Sequence, residues 1–468
     1  MPADEFFARR IPTQVFQIFP LMTTLRAVLG LIIAIPFLLL GSLSAMEPPA
    51  GFSLLLHGSD LAGWRGAETV DPRPFNELPA IERAGLIAGW TATLTQKGAS
   101  GKAHWRIEKG ELVNDGAGGS AATEIEFGDF DLRAEYRLAA GASSRLYLRA
   151  VPALQLEADP APGKTDASVG DGFWAGDPGV RAVPLAVVGG NAGEWRRLRI
   201  VLLGSRTSVW LDDRLVVDHA ILANPFELKP PSTPLRPILP RGPLQWRGHG
   251  GEMRWRNLCI RPIGGDEAGQ LLAARGAAGF KKIFNGRDLA GWAGDVDGAE
   301  VNDGAIVWRP AKRGTLYWNE TLANFQVRVA FKLPPGGNNG LAIRYPGKGN
   351  AAFDGMAEVQ VLDDNYEKVR GKIDPRQAHG SAAEMVAAAR GYQRPIGEWN
   401  FEEVTVEGSR LKVELNGTVI LDTDLANIGP ANYNRGLAHP GKDRTEGFFG
   451  FAGHNDPVAF KDIFIRPF

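Results

Sequence analysis

The sequence predicts an all-β protein made of two β-sandwich or jelly-roll domains in tandem. Three observations predict it: four sequence blocks recur in the same order, the segments within them alternate apolar and polar residues, and Gly/Pro turns separate segments with little helical periodicity. A chain of 468 residues is long enough for two to three domains. With 58 Gly and 32 Pro it is still 44% hydrophobic and carries 12 Trp and 23 Phe, which fits a turn-rich protein with a substantial core rather than a disordered one. A net charge of −1 gives no electrostatic case for a nucleic-acid partner.

The N-terminus reads as an export signal over residues 1–45. Arg26 precedes the uncharged run AVLGLIIAIPFLLLGSLSA, whose small-residue end at Ser42–Ala45 offers a cleavage site. An uncleaved membrane anchor is the alternative, since the run is nearly long enough to span a bilayer. Either reading places the body outside the cytoplasm, periplasmic or secreted. Cys259 is the single cysteine, so no intramolecular disulfide forms and Cys-based metal motifs are excluded. Its expected role is a small buried hydrophobe in a strand.

The first domain is expected over 46–263 and the second over 279–468, joined by a linker at 264–278 that has some helical character. GFSLLLHGSDLAGW (Gly51–Trp64) matches GFKKIFNGRDLAGW (Gly279–Trp292), and GEWRRLRIVLLGSR (Gly193–Arg206) matches GEWNFEEVTVEGSR (Gly397–Arg410). FDLRAEYRL (Phe130–Leu138) matches FQVRVAFKL (Phe325–Leu333), and the ends MRWRNLCIRPI and VAFKDIFIRPF also correspond. Phe325, Val327, Val329, Phe331 and Leu333 alternate with polar or small residues, the period of a half-buried strand. Asn416-Gly417 between Leu411–Leu415 and Thr418–Asp422 signals a two-residue hairpin. The first half carries an insertion near 65–103. The one helix candidate within the domains is the alanine-rich Ala382–Arg390.

One strand stands apart. In GMAEVQVLD (Gly355–Asp363), Glu358 and Gln360 alternate with Val359 and Val361, so a carboxylate and an amide share one sheet face and Asp363 follows at the strand end. This is either a ligand-binding polar face or the solvated face of an ordinary antiparallel sheet. In the first half, PALQLEAD (Pro152–Asp159) puts Ala153 where Glu358 stands and Ala158 where Asp363 stands, and keeps Gln155 opposite Gln360. The first half therefore lacks both carboxylates, and chemistry is expected in the second.

These residues resemble the 3-keto-disaccharide hydrolase domain family, whose fold is a concanavalin A-like jelly roll. The resemblance covers nearly the whole mature chain, with the first copy degenerate. It rests on FNGRDLAGW, NNGLAIRY, EVQVLD, HGS (His379–Ser381), GEWN (Gly397–Asn400) and GFFGFAGHNDPVAFKDIFIRPF. It implies an exported enzyme acting on 3-oxo glycosides, whose substrates a sugar 3-oxidoreductase supplies. The sequence departs from the family after HGS, where Ala383-Glu384 replace an expected aromatic, and the first half has Arg196 at the Asn400 position. A non-catalytic carbohydrate-binding module is the competing reading. An ordinary laminarinase-type hydrolase is a third; Gln360 and Leu362 at the alternate positions count against it.

A 3-oxo group makes the C2 proton acidic, so cleavage needs a base, an electrophile at the C3 oxygen and an acid for the leaving group, not the two spaced carboxylates of ordinary glycosidases. Glu358 is the candidate base or metal ligand; otherwise it pairs with an Arg or Lys on a neighbouring strand. Arg344 is placed on the polar face beside Glu358, to stabilise an enediolate oxygen or pair with that carboxylate. His379, in a Gly-containing loop, is the third catalytic candidate; otherwise it bonds to backbone. Substrate-binding candidates are Gln360, Asp363, Asn400, Trp399 and His454. Asp363 reads equally as an Asx-turn residue, His454 as a shaper of the final turn, and Trp399 as core, because Trp195 repeats it. A divalent cation on a His/Glu/Asp set is a further candidate, although no close spacing such as HExxH occurs.

Overall fold

The computed structural model describes residues 47–158, 173–177, 180–182, 185, 191–222, 224, 226 and 235–468. The expected export segment, 1–45, lies outside them. Met46–Phe468 form one compact unit containing two antiparallel sandwiches. Among the described residues no helix is long and apolar enough to cross a membrane.

In the second sandwich the smaller sheet runs Trp292–Gly294, Arg313–Trp318, Phe448–His454, Asn338–Tyr345, Ala357–Leu362. The larger sheet centres on Phe325–Lys332, flanked by Ala459–Pro467 and Asn400–Glu407. Period-two alternation turns Val327, Val329 and Phe331 of one sheet toward Leu341, Ile343, Val359 and Val361 of the other, and these close one apolar core. The expected hairpin is present: Leu415 pairs with Thr418, and Asn416 and Gly417 both take left-handed backbone (φ 49° and 83°), as a type I′ turn requires.

The first sandwich repeats this pairing. Tyr147 opposes Ala153 and Arg145 opposes Gln155, as Ala342 opposes Glu358 and Gly340 opposes Gln360. The register therefore puts Ala153 at the Glu358 position. Cys259 is 1% exposed within the strand Met253–Pro262.

One expectation about helices needs correction. Ala382–Arg390 is not helical: Ala382 bridges to Val359, and Glu384 takes left-handed backbone (φ 64°). The Ser381 hydroxyl accepts a hydrogen bond from the Ala388 amide at 3.0 Å. Burial against a sheet edge overrides alanine's local preference. The longest helix of the sandwiches lies instead in the insertion, where α1 (Pro72–Glu77) and α2 (Ala80–Leu94) form. Gly66 tolerates the approach of α2, since a Cβ there would fall 2.1 Å from the Trp90 carbonyl carbon.

The 264–278 segment contains α3 (Gly265–Ala274), whose Ala268 and Leu272 pack with Val201, Leu203, Ile263 and Phe401 between the sandwiches. Arg206 and Arg275 from the first side meet the buried Glu414 of the second. Burial alone would raise the Glu414 pKa; the two guanidiniums outweigh it and hold the carboxylate below its ordinary value.

Candidate active site

The strand Ala357–Leu362 is held on both edges. Asn338–Tyr345 pairs with one side. On the other, the Gln360 amide donates to the Ser381 carbonyl at 3.0 Å, Gly380 donates to Gln360 at 2.7 Å, and Ala383 donates to Glu358 at 2.9 Å. Val359 and Val361 enter the core, so Glu358 and Gln360 face away from it. That face is not freely solvated, because Glu358 is 3% exposed.

Glu358 and His454 come together. Oε1 of Glu358 lies 3.3 Å from Nε2 of His454, at the end of Phe448–His454. The carboxylate reaches there by lying across Gly340. Burial alone would lower the His454 pKa, but the hydrogen bond and charge of Glu358 outweigh it and raise the imidazole above its ordinary 6.5. The imidazole is 34% exposed, so this carboxylate–imidazole pair has one solvent-facing side.

The floor beside the pair is made of small residues. Along one row of the sheet, Glu358 opposes Ala342, Ala342 opposes Gly450, and Gly450 opposes Tyr317. Along the next, Gln360 opposes Gly340, and Gly340 opposes Ala452. Tyr317, Tyr345 and Phe448 cluster against Ala342 and Ala452, with the Tyr317 and Phe448 rings 4.6 Å apart. Across three strand spacings, roughly 14 Å, a charged pair and an aromatic platform therefore face a shallow floor. The aromatic residues escaped the sequence reading. The signal was available in the outward positions of NNGLAIRY and GFFGFAGH, which are Gly or Ala where the first half has Arg145, Tyr147, Gln245 and Arg247.

Apart from Gln360, the remaining candidates lie elsewhere. Arg344 is not beside Glu358, which corrects that expectation. It is buried with a left-handed backbone (φ 47°), and its guanidinium donates to the carbonyls of Ala323 (2.9 Å), Gly408 (2.8 Å) and Arg444 (2.8 Å) and to Asn324 Oδ1 (3.2 Å). Arg149 of the first sandwich does the same with Gly128, Gly204 and Asp129. A bulge between Ala342 and Tyr345 turns the Arg344 side chain to this task.

His379 is also apart from Glu358. It is 3% exposed, its Nδ1 accepts from the Leu362 amide at 3.4 Å, and its Nε2 lies 3.3 Å from Oε2 of Glu402, which is itself fully buried. Glu402 was not foreseen; in the first half Leu198 takes its place in the register. Gln360 donates to Asn338 Oδ1 at 2.6 Å and to the Asn339 carbonyl at 3.0 Å, on the Glu358 face.

Asp363 accepts from the Gly336 and Asn365 amides, both at 2.8 Å, and so ties turns together. Asn400 accepts from the Arg394 amide at 2.8 Å and from Asn416 at 2.9 Å. Trp399 lies beneath Lys332 and Lys461 on the larger sheet, as Trp195 lies beneath Arg137 and Arg256. It is neither in the core nor on the Glu358 face. Among the described residues no group of three or more His, Cys, Asp or Glu is gathered to hold a metal ion.

The profile of the 3-keto-alpha-glucoside-1,2-lyase-like domain matches residues 51–261 and again 279–466. The chain belongs to this family. A 3-keto-disaccharide hydrolase from Bacteroides thetaiotaomicron is 27% identical over 229 residues, covering 41% of this chain and 79% of that protein. A crystal structure of a candidate glycosyl hydrolase from Parabacteroides distasonis is 26% identical, covering 41% of this chain and 95% of that one at a TM-score of 0.36. A carbohydrate-binding module from Bacillus subtilis is 15% identical, covering 36% and 89% at a TM-score of 0.22. Within the 3-keto-alpha-glucoside-1,2-lyase-like family, the two matched regions of this chain differ at the Glu358 face, where the second has Glu358 beside Gly and Ala and the first has Ala153 beside Arg145, Tyr147 and Gln245.

Proposed function

We propose that the second sandwich cleaves the glycosidic bond of 3-oxo glycosides. The observation that carries the proposal is the pair of buried Glu358 with half-exposed His454 beside a floor of glycine and alanine. Family membership and the name of the Bacteroides thetaiotaomicron relative support the substrate class.

Glu358 takes the C2 proton, which the C3 carbonyl has acidified. The C1–O bond then breaks with its electron pair on the leaving oxygen, and that oxygen takes the proton held on His454. The 1,2-unsaturated 3-oxo sugar stays in the site. Water adds its hydroxide to C1 and returns its proton to His454, while Glu358 returns its proton to C2. The net reaction is hydrolysis; release before water adds would make it elimination. A raised His454 pKa suits this role, because the imidazole must arrive protonated near neutrality. Tyr317 and Phe448 offer ring faces for the sugar, and Gln360 with Asn338 offers amides for its hydroxyls.

Chemistry belongs to the second sandwich because the first has Ala153 for Glu358. The paired matches are most simply one duplicated domain whose first copy lost its acid. The apolar run ending at Ala45 supports a position outside the cytoplasm. An oxidoreductase acting at sugar C3 would have to supply its substrate.

The test is to incubate the full chain with a 3-oxo glucoside and with the parent glucoside. Turnover of the oxidised sugar alone is expected. Binding of plain glycan without turnover of either compound would replace this reading with that of a binding module.

A further inference from the structure

The insertion of the first sandwich does more than cover its sheet. Helices α1 and α2 stand over the equivalent sheet face and enclose a cavity of about 370 Å³ against it. The cavity is lined by Phe75 and Trp90, whose rings stack at 5.4 Å, by the buried Gln245, and by Arg65, Arg83 and Arg241. Gln245 holds the register position of Gly450, and Arg65 that of Ala293. The pocket is therefore built by residues that stand where the second sandwich has its floor of glycine and alanine.

Its charge is unbalanced. Among the described residues, Arg65, Arg83 and Arg241 make no carboxylate ion pair within 4 Å. Their hydrogen bonds go to backbone carbonyls: Arg65 to Gly66 (3.3 Å), Arg83 to Asn76 (2.7 Å) and Arg241 to Glu126 (2.7 Å). Arg149 is neutralised by Asp129, and Glu68 by Arg247 at 3.6 Å. Of the lining acids this leaves the exposed Glu126, whose charge acts on Arg65 together with that of the neighbouring exposed Glu124, two carboxylates against three guanidiniums. The half-buried Arg65 and Arg83, with the exposed Arg241 at the rim, stand beside an aromatic pair, a setting suited to a ligand with an apolar face and an anionic group.

We propose that the first sandwich binds a saccharide bearing a carboxylate, a uronic acid residue, in the pocket between α1–α2 and its smaller sheet. The ring packs on Trp90 and Phe75, and the carboxylate is held by the arginines. A planar carboxylate matches the guanidinium fork, which a neutral hydroxymethyl group does not. The site is separate from Glu358 and involves no bond making.

The experiment uses the full chain carrying Glu358→Gln, so that no turnover at the second sandwich enters the readout. Methyl β-D-glucuronide and methyl β-D-glucoside are titrated, followed by tryptophan fluorescence and saturation-transfer NMR. Binding of the glucuronide is expected, weaker by at least about tenfold in Arg65→Gln and in Arg241→Gln, the scale of one lost charge-assisted hydrogen bond. The neutral glucoside is expected to bind at least about tenfold more weakly than the glucuronide. Trp90→Ala tests the stacking surface, and the two arginine variants keep the proposal testable if that helix variant misfolds. Equal affinity for the two sugars, no glucuronide binding, or affinity unchanged in both arginine variants overturns the proposal. None of these outcomes bears on turnover of 3-oxo glycosides, which is measured on the unsubstituted chain.

Discussion

Gly340 and Glu358 occupy the same space: a Cβ on Gly340 would lie 2.1 Å from Oε1 of Glu358. The carboxylate meets His454 only because this strand position has no side chain. Gly340→Ala should expel Glu358 from its place over the strand. Turnover of a 3-oxo glycoside should fall by at least about tenfold, while overpacking costs about 1–3 kcal/mol of stability. Steady-state kinetics beside a thermal melt separate the two effects; unchanged kinetics would show that the Glu358 position is immaterial.

Glu358→Gln removes the base and keeps the shape. Loss of a positioned general base predicts a kcat lower by about 10²–10⁴. Stability should fall by no more than the loss of the His454 pairing, since the first sandwich folds with Ala153 at this position. A variant of wild-type activity would remove Glu358 from the mechanism.

The Glu358–His454 pair also predicts a pH dependence. The folded protein holds the His454 pKa above 6.5. Its stabilising contribution is then fully present below the unfolded imidazole value and is lost as pH rises through the folded one. His454→Gln should therefore lower Tm more at about pH 5.5 than at about pH 9. NMR titration of His454 should show its midpoint drop in Glu358→Gln; an unmoved midpoint would dissociate the two groups.

Arg344 should behave as a structural residue. Arg344→Ala strands three backbone carbonyls that accept from its guanidinium, at a cost of about 3 kcal/mol or more. Arg344→Lys keeps the charge but not the fork and should recover only part of the loss in denaturant melts. Arg149→Ala should be as damaging, although its sandwich has no acid at the Glu358 position. A stable but inactive Arg344→Ala would instead restore a chemical role.

The buried His379–Glu402 pair gives a cycle. His379→Ala leaves the Glu402 carboxylate alone in the core, a loss of roughly 3–5 kcal/mol. Adding Glu402→Leu copies the apolar Leu198 of the first sandwich and should recover most of it. Urea melts of the two single variants and the double variant measure the coupling; additive losses would show that the pair is not one unit.

Much of this molecule was legible in its sequence. Strand period, turn chemistry and the repeated blocks are local signals, and they determined the two β-sandwiches, the hairpin at Asn416-Gly417 and the alignment of Ala153 with Glu358. The same local rule misread Ala382–Arg390, because a sheet edge outcompetes alanine's helix preference. It also missed α1 and α2, which are stabilised by the sheet beneath them.

The partners of each candidate were decided only by the tertiary structure. Alternation tells which face a side chain leaves by, but not whether a bulge redirects it, as at Arg344, or what a loop brings to meet it, as Glu402 meets His379. Glu358 was visible as a carboxylate on one strand. Its pairing with His454 depends on a glycine on a second strand and an imidazole at the end of a third, which only the folded sheet places side by side.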